Sequence, residues 1–534
     1  MGNRLKRTRR YLSIALPHLS TDRIARRRWG RSWICDGRPE APPIIVTDTV
    51  KNAVRVVALE PGTATLGLTP GQTLTDARAL RPDLEAVARD APADAALLTA
   101  LAAWADRYTP LVGRCADDAR FGAEGLMLDV SGVAHLFGGE AALMEEIAAR
   151  LTAQGLHGAL GLADTPGAAW ALARFAPPGM RSAAPGEIRP ALAPLPLTAL
   201  RLDAALVTGL SRVGFKTVGC IADLPRAPLA TRFGAGLIQR LDQALGREEE
   251  AISPLLPVPD LTAEKRFFDP ITHADDIART IVLLAEALVP MLEQRGRGAR
   301  VLELRLFRVD GHVDRLDVAA AQPLRNAARI AALFRERIAG LACDIDAGFG
   351  FDLVKLGVLE SEAFPGDQGD LVSGTCAVDS FEALVDRLGA RLGPDRVCGF
   401  AGADTHIPER AFGTLPVTRL RAGLPAASPA AVTPVPPLTR PLWLLARPEP
   451  VDTLAEIPDG PPRRFRWRKV GYAVTGAEGP ERIACEWWRD GRAAPTRDYY
   501  RVEAATGHRF WLFRHGLYGR ERGGPRWYMH GVSA

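Results

Sequence analysis

The sequence predicts an α+β chain of several domains, and three observations carry that expectation. A length of 534 residues is too great for one hydrophobic core, so three or four domains are expected. Short apolar strands alternate with helical-period segments over residues 1–190; strand signals vanish over 191–255; a β-α-β-β-α-β order follows over 261–358. Residues 461–534 then change character, with aromatics crowding among arginines and glycines as in a small β-rich domain.

In chain order, residues 11–16 (Tyr-Leu-Ser-Ile-Ala-Leu) read as a short strand, and 44–46 and 54–59 as two more around a polar turn at Lys51-Asn52. A short helix over 74–80 stops before Pro82. Pro92 precedes a helix over 93–108, with Ala95, Leu98, Leu101, Ala102 and Ala105 at helical spacing. A strand at 126–128, a helix over 140–154, a strand at 159–163 and a helix over 168–175 complete the sheet domain, closed by Pro177-Pro178-Gly179. Over 191–255 short helices are separated by Gly209, Gly214, Gly219, Pro225, Pro228 and Gly234. Such a module suits phosphate contact, because helix N-termini and glycine amides point outward. In the next unit, 264–268 is a strand and 277–294 an amphipathic helix. Residues 301–307 alternate as a half-buried strand, Arg308 to Gly311 turn, 312–318 return, 326–338 form a helix and 351–358 a last strand. Residues 359–414 hold a helix over 381–392, and 415–460, rich in Pro and Ala, read as a semi-rigid linker.

Hydrophobic content of 47% and charged content of 24% are those of a globular chain. The net charge of +5 permits an anionic partner without demanding one. Seven scattered cysteines form no Cys-x-x-Cys pair, so neither a zinc site nor a disulfide framework is indicated. No metal or cofactor is expected. No apolar run approaches the roughly 18 residues of a membrane span, and no signal core is visible, so a cytoplasmic location is expected.

Residues 121–131 read Phe-Gly-Ala-Glu-Gly-Leu-Met-Leu-Asp-Val-Ser, a buried strand with carboxylates at its lip. The tail Leu128-Asp129-Val130-Ser131 resembles the acidic strand of the Y-family, lesion-bypass DNA polymerases, Ser-Leu-Asp-Glu-Ala-Tyr-Leu-Asp-Val-Thr. Other segments are similar to that family in the same order. Residues 11–16 resemble its first palm strand, and Leu66 to Gln72 its fingers turn. Arg107-Tyr108-Thr109-Pro110-Leu111-Val112 resembles its Arg-Tyr-Thr-x-x-Ile, and Leu172-Ala173-Arg174-Phe175-Ala176 its Leu-Ala-Lys-Ile-Ala. Gly214-Phe215-Lys216-Thr217-Val218-Gly219 and residues 229–234 resemble thumb motifs. The resemblance covers about residues 10–358. It implies palm and fingers over 1–190, a helical thumb over 191–255 and a ferredoxin-like little finger over 261–358.

The departures matter as much. Two-metal phosphoryl transfer needs several carboxylates around two magnesium ions about 4 Å apart. The first-strand carboxylate position falls on Ala15, and the acidic pair has become Glu124-Gly125. Asp129 aligns with a family aspartate outside the metal pair. The fingers' Tyr and Arg are replaced within Pro61-Gly62-Thr63-Ala64, and the triphosphate lysine by Pro177-Pro178-Gly179. This combination, with an extra C-terminal region, resembles the catalytically degenerate ImuB-like branch of the family. That branch implies a scaffold for damage-induced (SOS) mutagenesis and translesion synthesis. Its implied partners are DNA, the sliding clamp, the small protein ImuA and an error-prone DnaE-type polymerase. The competing reading is an active translesion polymerase whose atypical metal site uses Glu124 and Asp129.

Gln368, Asp370 and Leu371 in Gln-Gly-Asp-Leu-Val resemble a clamp-binding peptide, with Gln and Leu as its anchors. Lys216, Arg232, Arg240, Arg300 and Arg305 are the candidate phosphate contacts, which add affinity without reading sequence. The C-terminal aromatics are expected to form a core, with Trp487-Trp488 and Tyr499-Tyr500 half inside and half out and partners docking on the surface; the alternative is a surface on which single-stranded bases stack.

Overall fold

The computed structural model describes residues 9–115, 124–341, 345–364, 377–393, 395–417, 440–441, 443–456, 460–491, 495–516 and 525–533. The chain divides into two compact units, Met1–Gly374 and Thr375–Ala534.

The first unit opens with β1 (Tyr11–Leu16), α1 (Leu19–Trp29), β2 (Ile44–Val50), β3 (Ala53–Leu59), α2 (Leu74–Leu80) and β4 (Glu85–Ala88). There follow α3 (Ala91–Ala105), β5 (Val112–Arg114), β6 (Glu124–Asp129), α4 (Glu140–Ala153), β7 (Ala159–Ala163) and α5 (Pro166–Phe175). The palm sheet runs β5-β6-β1-β7, antiparallel throughout, with all six residues of β1 buried. A second sheet, β3-β2-β4, has its own core of Ile45, Val56, Leu59, Leu68, Ala77 and Leu84. Local chemistry sets the helix starts: the side chains of Thr73, Asp90 and Thr165 each accept a backbone N–H of the first turn. Gly161 lets α5 lie directly on β7, since a Cβ there would stand 2.2 Å from the Ala169 carbonyl oxygen.

Helix α1 is absent from the sequence reading, because arginines at 23, 26, 27 and 28 obscure its apolar face. Leu19, Ile24 and Ala25 are buried, while Arg26, Arg27 and Arg28 crowd its last turn, where the helix dipole favours cations.

Helices α6 (Ile188–Leu192), α7 (Ala204–Arg212), α8 (Gly219–Ala222), α9 (Arg226–Phe233) and α10 (Ala235–Ala244) form the thumb-like module. Its core is continuous with α5 through Trp170, Leu192, Leu210, Leu237 and Leu241. The next module is β8 (Leu261–Ile271), α11 (Ala274–Gln294), β9 (Arg297–Arg308), β10 (Val313–Leu324), α12 (Ala327–Ala339) and β11 (Phe351–Ala363). The β-α-β-β-α-β order is the expected one. The sheet runs β10-β9-β11-β8, so β11 inserts between β8 and β9.

The second unit holds α13 (Ala377–Leu392), a hairpin of β12 (Cys398–Gly402) with β13 (Phe412–Pro416), and a closed six-stranded barrel. The barrel strands are β14 (Trp443–Ala455), β15 (Pro462–Trp467), β16 (Val470–Ile483), β17 (Arg497–Ala504), β18 (Arg509–His515) and β19 (Arg526–Ser533). Two expectations need correction. Strand β14 lies inside the stretch read as a linker over 415–460. Its prolines, Pro448 and Pro450, hid a strand that closes the barrel against β15 and β19. Tyr499 and Tyr500 are both buried, where one was expected outside. Tyr500 belongs to a core with Val502, Phe510, Leu512 and Met529, and Tyr499 to a second cluster with Trp511 and Phe513 under Ile407. Trp487 and Trp488 are exposed on a one-turn helix.

Candidate palm pocket and nucleic-acid interface

The palm pocket is defined by register. Ala15 lies opposite Gly125 and Leu16 opposite Glu124. Ala15 and Leu16 are both buried, and no residue of β1 carries a charge, so the first strand offers no carboxylate at either position. Glu124 begins β6, and its carboxylate accepts a hydrogen bond from Arg114 Nη2 at 2.5 Å. Asp129 ends the same strand and accepts the Ser131 N–H at 2.9 Å. An odd separation on a strand points two side chains to opposite faces, and five residues span roughly 16 Å. Glu124 and Asp129 therefore do not converge. Among the described residues no group of three or more His, Cys, Asp or Glu stands where it could hold a metal ion. This donor set does not fit a two-magnesium centre.

The flanking positions are equally bare. Gly62, in the left-handed region, opens a 3-10 turn over Thr63–Leu66, and neither Thr63 nor Ala64 supplies a charge. Pro178 and Gly179 are exposed after α5. The arginine of α5, Arg174, lies against β1: its Nη1 donates to Ser13 Oγ at 3.3 Å and its guanidinium sits 4.5 Å over Trp170. A cavity of about 410 Å³ lies at the Tyr11 end of β1, remote from Ala15. Its charges are largely engaged: Asp164 by Arg10 and the Gly186 N–H, Glu250 by Arg201, and Glu249 by Arg9.

The five candidate phosphate contacts separate into three groups by exposure. Lys216, in the turn between α7 and α8, and Arg232, near the end of α9, are exposed; Arg232 stacks on Phe233. Arg240 is half-buried and faces Gln243 and Glu250. Arg300 and Arg305 are buried, 6% and 4% exposed. Arg300 donates to the Ala321 carbonyl, and Arg305 is gripped by Asp106 and Glu303. Alternation along β9 signalled a half-buried strand, yet both faces of β9 are covered, and that removes these two from solvent. Arg212 was missed: it is exposed at the end of α7, and its signal was its place in Arg212-Val213-Gly214-Phe215-Lys216. Gln368, Asp370 and Leu371 lie outside the described residues.

Comparison with known proteins places this geometry. Residues 37–174 match the family described as IMS, impB/mucB/samB. The chain is 26% identical over 300 residues to DNA polymerase IV of Caulobacter vibrioides (strain ATCC 19089), covering 53% of this chain and 70% of the relative. Among solved structures it is similar to DinB from Sulfolobus solfataricus, with 12% identity and a TM-score of 0.37, over 67% of this chain and all of that one. The family match over residues 37–174 and the sequence similarity to DNA polymerase IV make the chain a homologue of the Y-family polymerases. The chain is also 41% identical over 476 residues to Protein ImuB of Caulobacter vibrioides (strain NA1000 / CB15N), covering 88% of this chain and 100% of the relative. It belongs to the ImuB family. No helix among the described residues is long and apolar enough to cross a membrane.

Proposed function

We propose that this chain is a non-catalytic, polymerase-like scaffold for damage-induced mutagenesis. It binds DNA and recruits the sliding clamp, ImuA and an error-prone DnaE-type polymerase that performs the synthesis. One observation carries the reading: Ala15 faces Gly125 across two palm strands, and Glu124 is engaged by Arg114. Phosphoryl transfer depends almost wholly on positioned cations and charge stabilisation, so a pocket in which no carboxylates converge among the described residues has little left to contribute. In this reading Lys216, Arg232 and Arg212 supply nonspecific phosphate contact, and Gln368, Asp370 and Leu371 engage the clamp. The exposed aromatics of the second unit, Phe400, Phe412, Trp487 and Trp488, offer area for protein partners.

Complementation tests it. In a strain lacking the native protein, Glu124→Ala should support damage-induced mutagenesis as the unaltered chain does. Gln368→Ala with Leu371→Ala should abolish both mutagenesis and clamp binding. Loss of mutagenesis in Glu124→Ala, with the protein folded and its partners still bound, would refute the reading.

A further inference from the structure

The little-finger sheet carries a row of cations that has found a protein partner. Arg315 lies opposite Arg305, and Arg305 opposite Lys355, so three positive side chains stand side by side on one face. Like charges directly opposite one another destabilise a sheet unless they are neutralised. Glu303, two residues before Arg305 on the same face, bonds both arginines. Glu264 of β8 pairs with Lys355 at 3.1 Å, and further partners come from the palm. Asp106, which follows α3, pairs its carboxylate with Arg305, and its backbone carbonyl accepts Lys355 Nζ at 2.9 Å. The C-terminal end of a helix carries partial negative charge and favours such cations. The neighbouring Arg107, 2% exposed, donates to Asp352 at 2.7 Å; Arg150 of α4 reaches the same carboxylate at 3.2 Å.

Two further attachments lie elsewhere. Arg31, beyond α1, donates to the Asp310 carbonyl at 2.6 Å and pairs with its carboxylate at 3.0 Å, at the turn between β9 and β10. The segment entering the little finger is itself pinned: Leu255 N–H donates to the Val112 carbonyl at 2.9 Å, and Gly113 bridges Pro254. A Cβ at Gly113 would stand 2.4 Å from Ile252 Cγ2, so this approach requires glycine. One attachment leaves a hinge; three at separate elements do not.

We infer that the palm and the little finger form one rigid body, and that the Arg315–Arg305–Lys355 row is a domain clasp rather than a phosphate-binding surface. The inference is independent of whether the palm pocket is catalytic. It is tested in the full-length chain by pulsed dipolar spectroscopy between spin labels at Glu145→Cys on α4 and Glu286→Cys on α11, both exposed, with the exposed native cysteines removed. One narrow distance, unchanged by primed DNA and broadened by Asp106→Ala, is the expected result. A broad or two-peaked distribution in the otherwise unaltered chain, or a shift on adding DNA, would overturn it. A second arm does not depend on that variant's folding. Replacing Arg305 by Met should leave the salt dependence of DNA binding unchanged, whereas a fall in the log–log slope of about 0.9 would identify a lost phosphate contact.

Discussion

The palm sheet and the little-finger sheet are both four-stranded and antiparallel, and they handle charge in opposite ways. At the centre of the palm sheet, β1 is buried along its whole length and uncharged, and the cross-strand pair that would shape a metal pocket is Ala15 with Gly125. At the centre of the little-finger sheet, β9 buries Glu303 and Arg305. A buried charge persists only where a partner is built in. Carboxylates clustered to hold cations are costly without them, and among the described residues the palm has no such cluster. The little finger's charges have their counterions in the protein, and they remain.

The contrast can be broken most severely in the little finger. Glu303→Ala removes the shared partner of two guanidinium groups, and stranding buried charge costs about 3–5 kcal/mol. The unfolding midpoint of the first unit in urea should fall accordingly; an unchanged midpoint would mean that the row is solvated. In the palm the same urea measurement should respond to volume instead. Leu12→Ala, at a site fully buried in the core, should cost about 2–5 kcal/mol. Because β1 contributes no titrating carboxylate, that loss should be nearly constant between pH 5 and pH 8.

A smaller effect separates the two regions by pH. Burial alone would raise the Asp310 pKa, but hydrogen bonds from Arg308 and the His312 N–H, with the charge of Arg31, bring it down to about 2. A carboxylate with a depressed folded pKa adds stability above its unfolded value and loses it as pH falls through the folded one. The charge pairing of Asp310 with Arg308 and Arg31 at the β9–β10 turn should therefore weaken from about pH 4 towards pH 2. Asp310→Asn should flatten that part of the stability profile, and an identical profile would mean that Asp310 gains nothing from Arg308, His312 and Arg31. The smallest expected change is in the thumb: Lys216→Ala or Arg232→Ala should each lower the salt slope of DNA binding by about 0.9 with little effect on stability. An unchanged slope would withdraw that residue from the interface.

Much of this was legible in the sequence because periodicity reports burial. The helix over residues 74–80 was read at its observed bounds, and the strand and helix order of the little finger followed from alternation and amphipathic spacing. The uncharged character of β1 was legible for a different reason: it is a matter of composition, so small errors of register do not change what the strand can offer. What stayed hidden was tertiary. No local pattern distinguishes Arg305, gripped by Asp106 from 199 residues away, from Arg232, which is exposed. Strand β14 was obscured by prolines and became recognisable only through its pairing with β15 on one side and β19 on the other.

The most direct test of the palm pocket is primer extension by the purified chain, free of other polymerases, with a primed template, all four deoxynucleotides and Mg²⁺ or Mn²⁺. No extension above that of a Glu124→Ala preparation is predicted with either metal. Extension by the unaltered chain that disappears in Glu124→Ala would contradict the account.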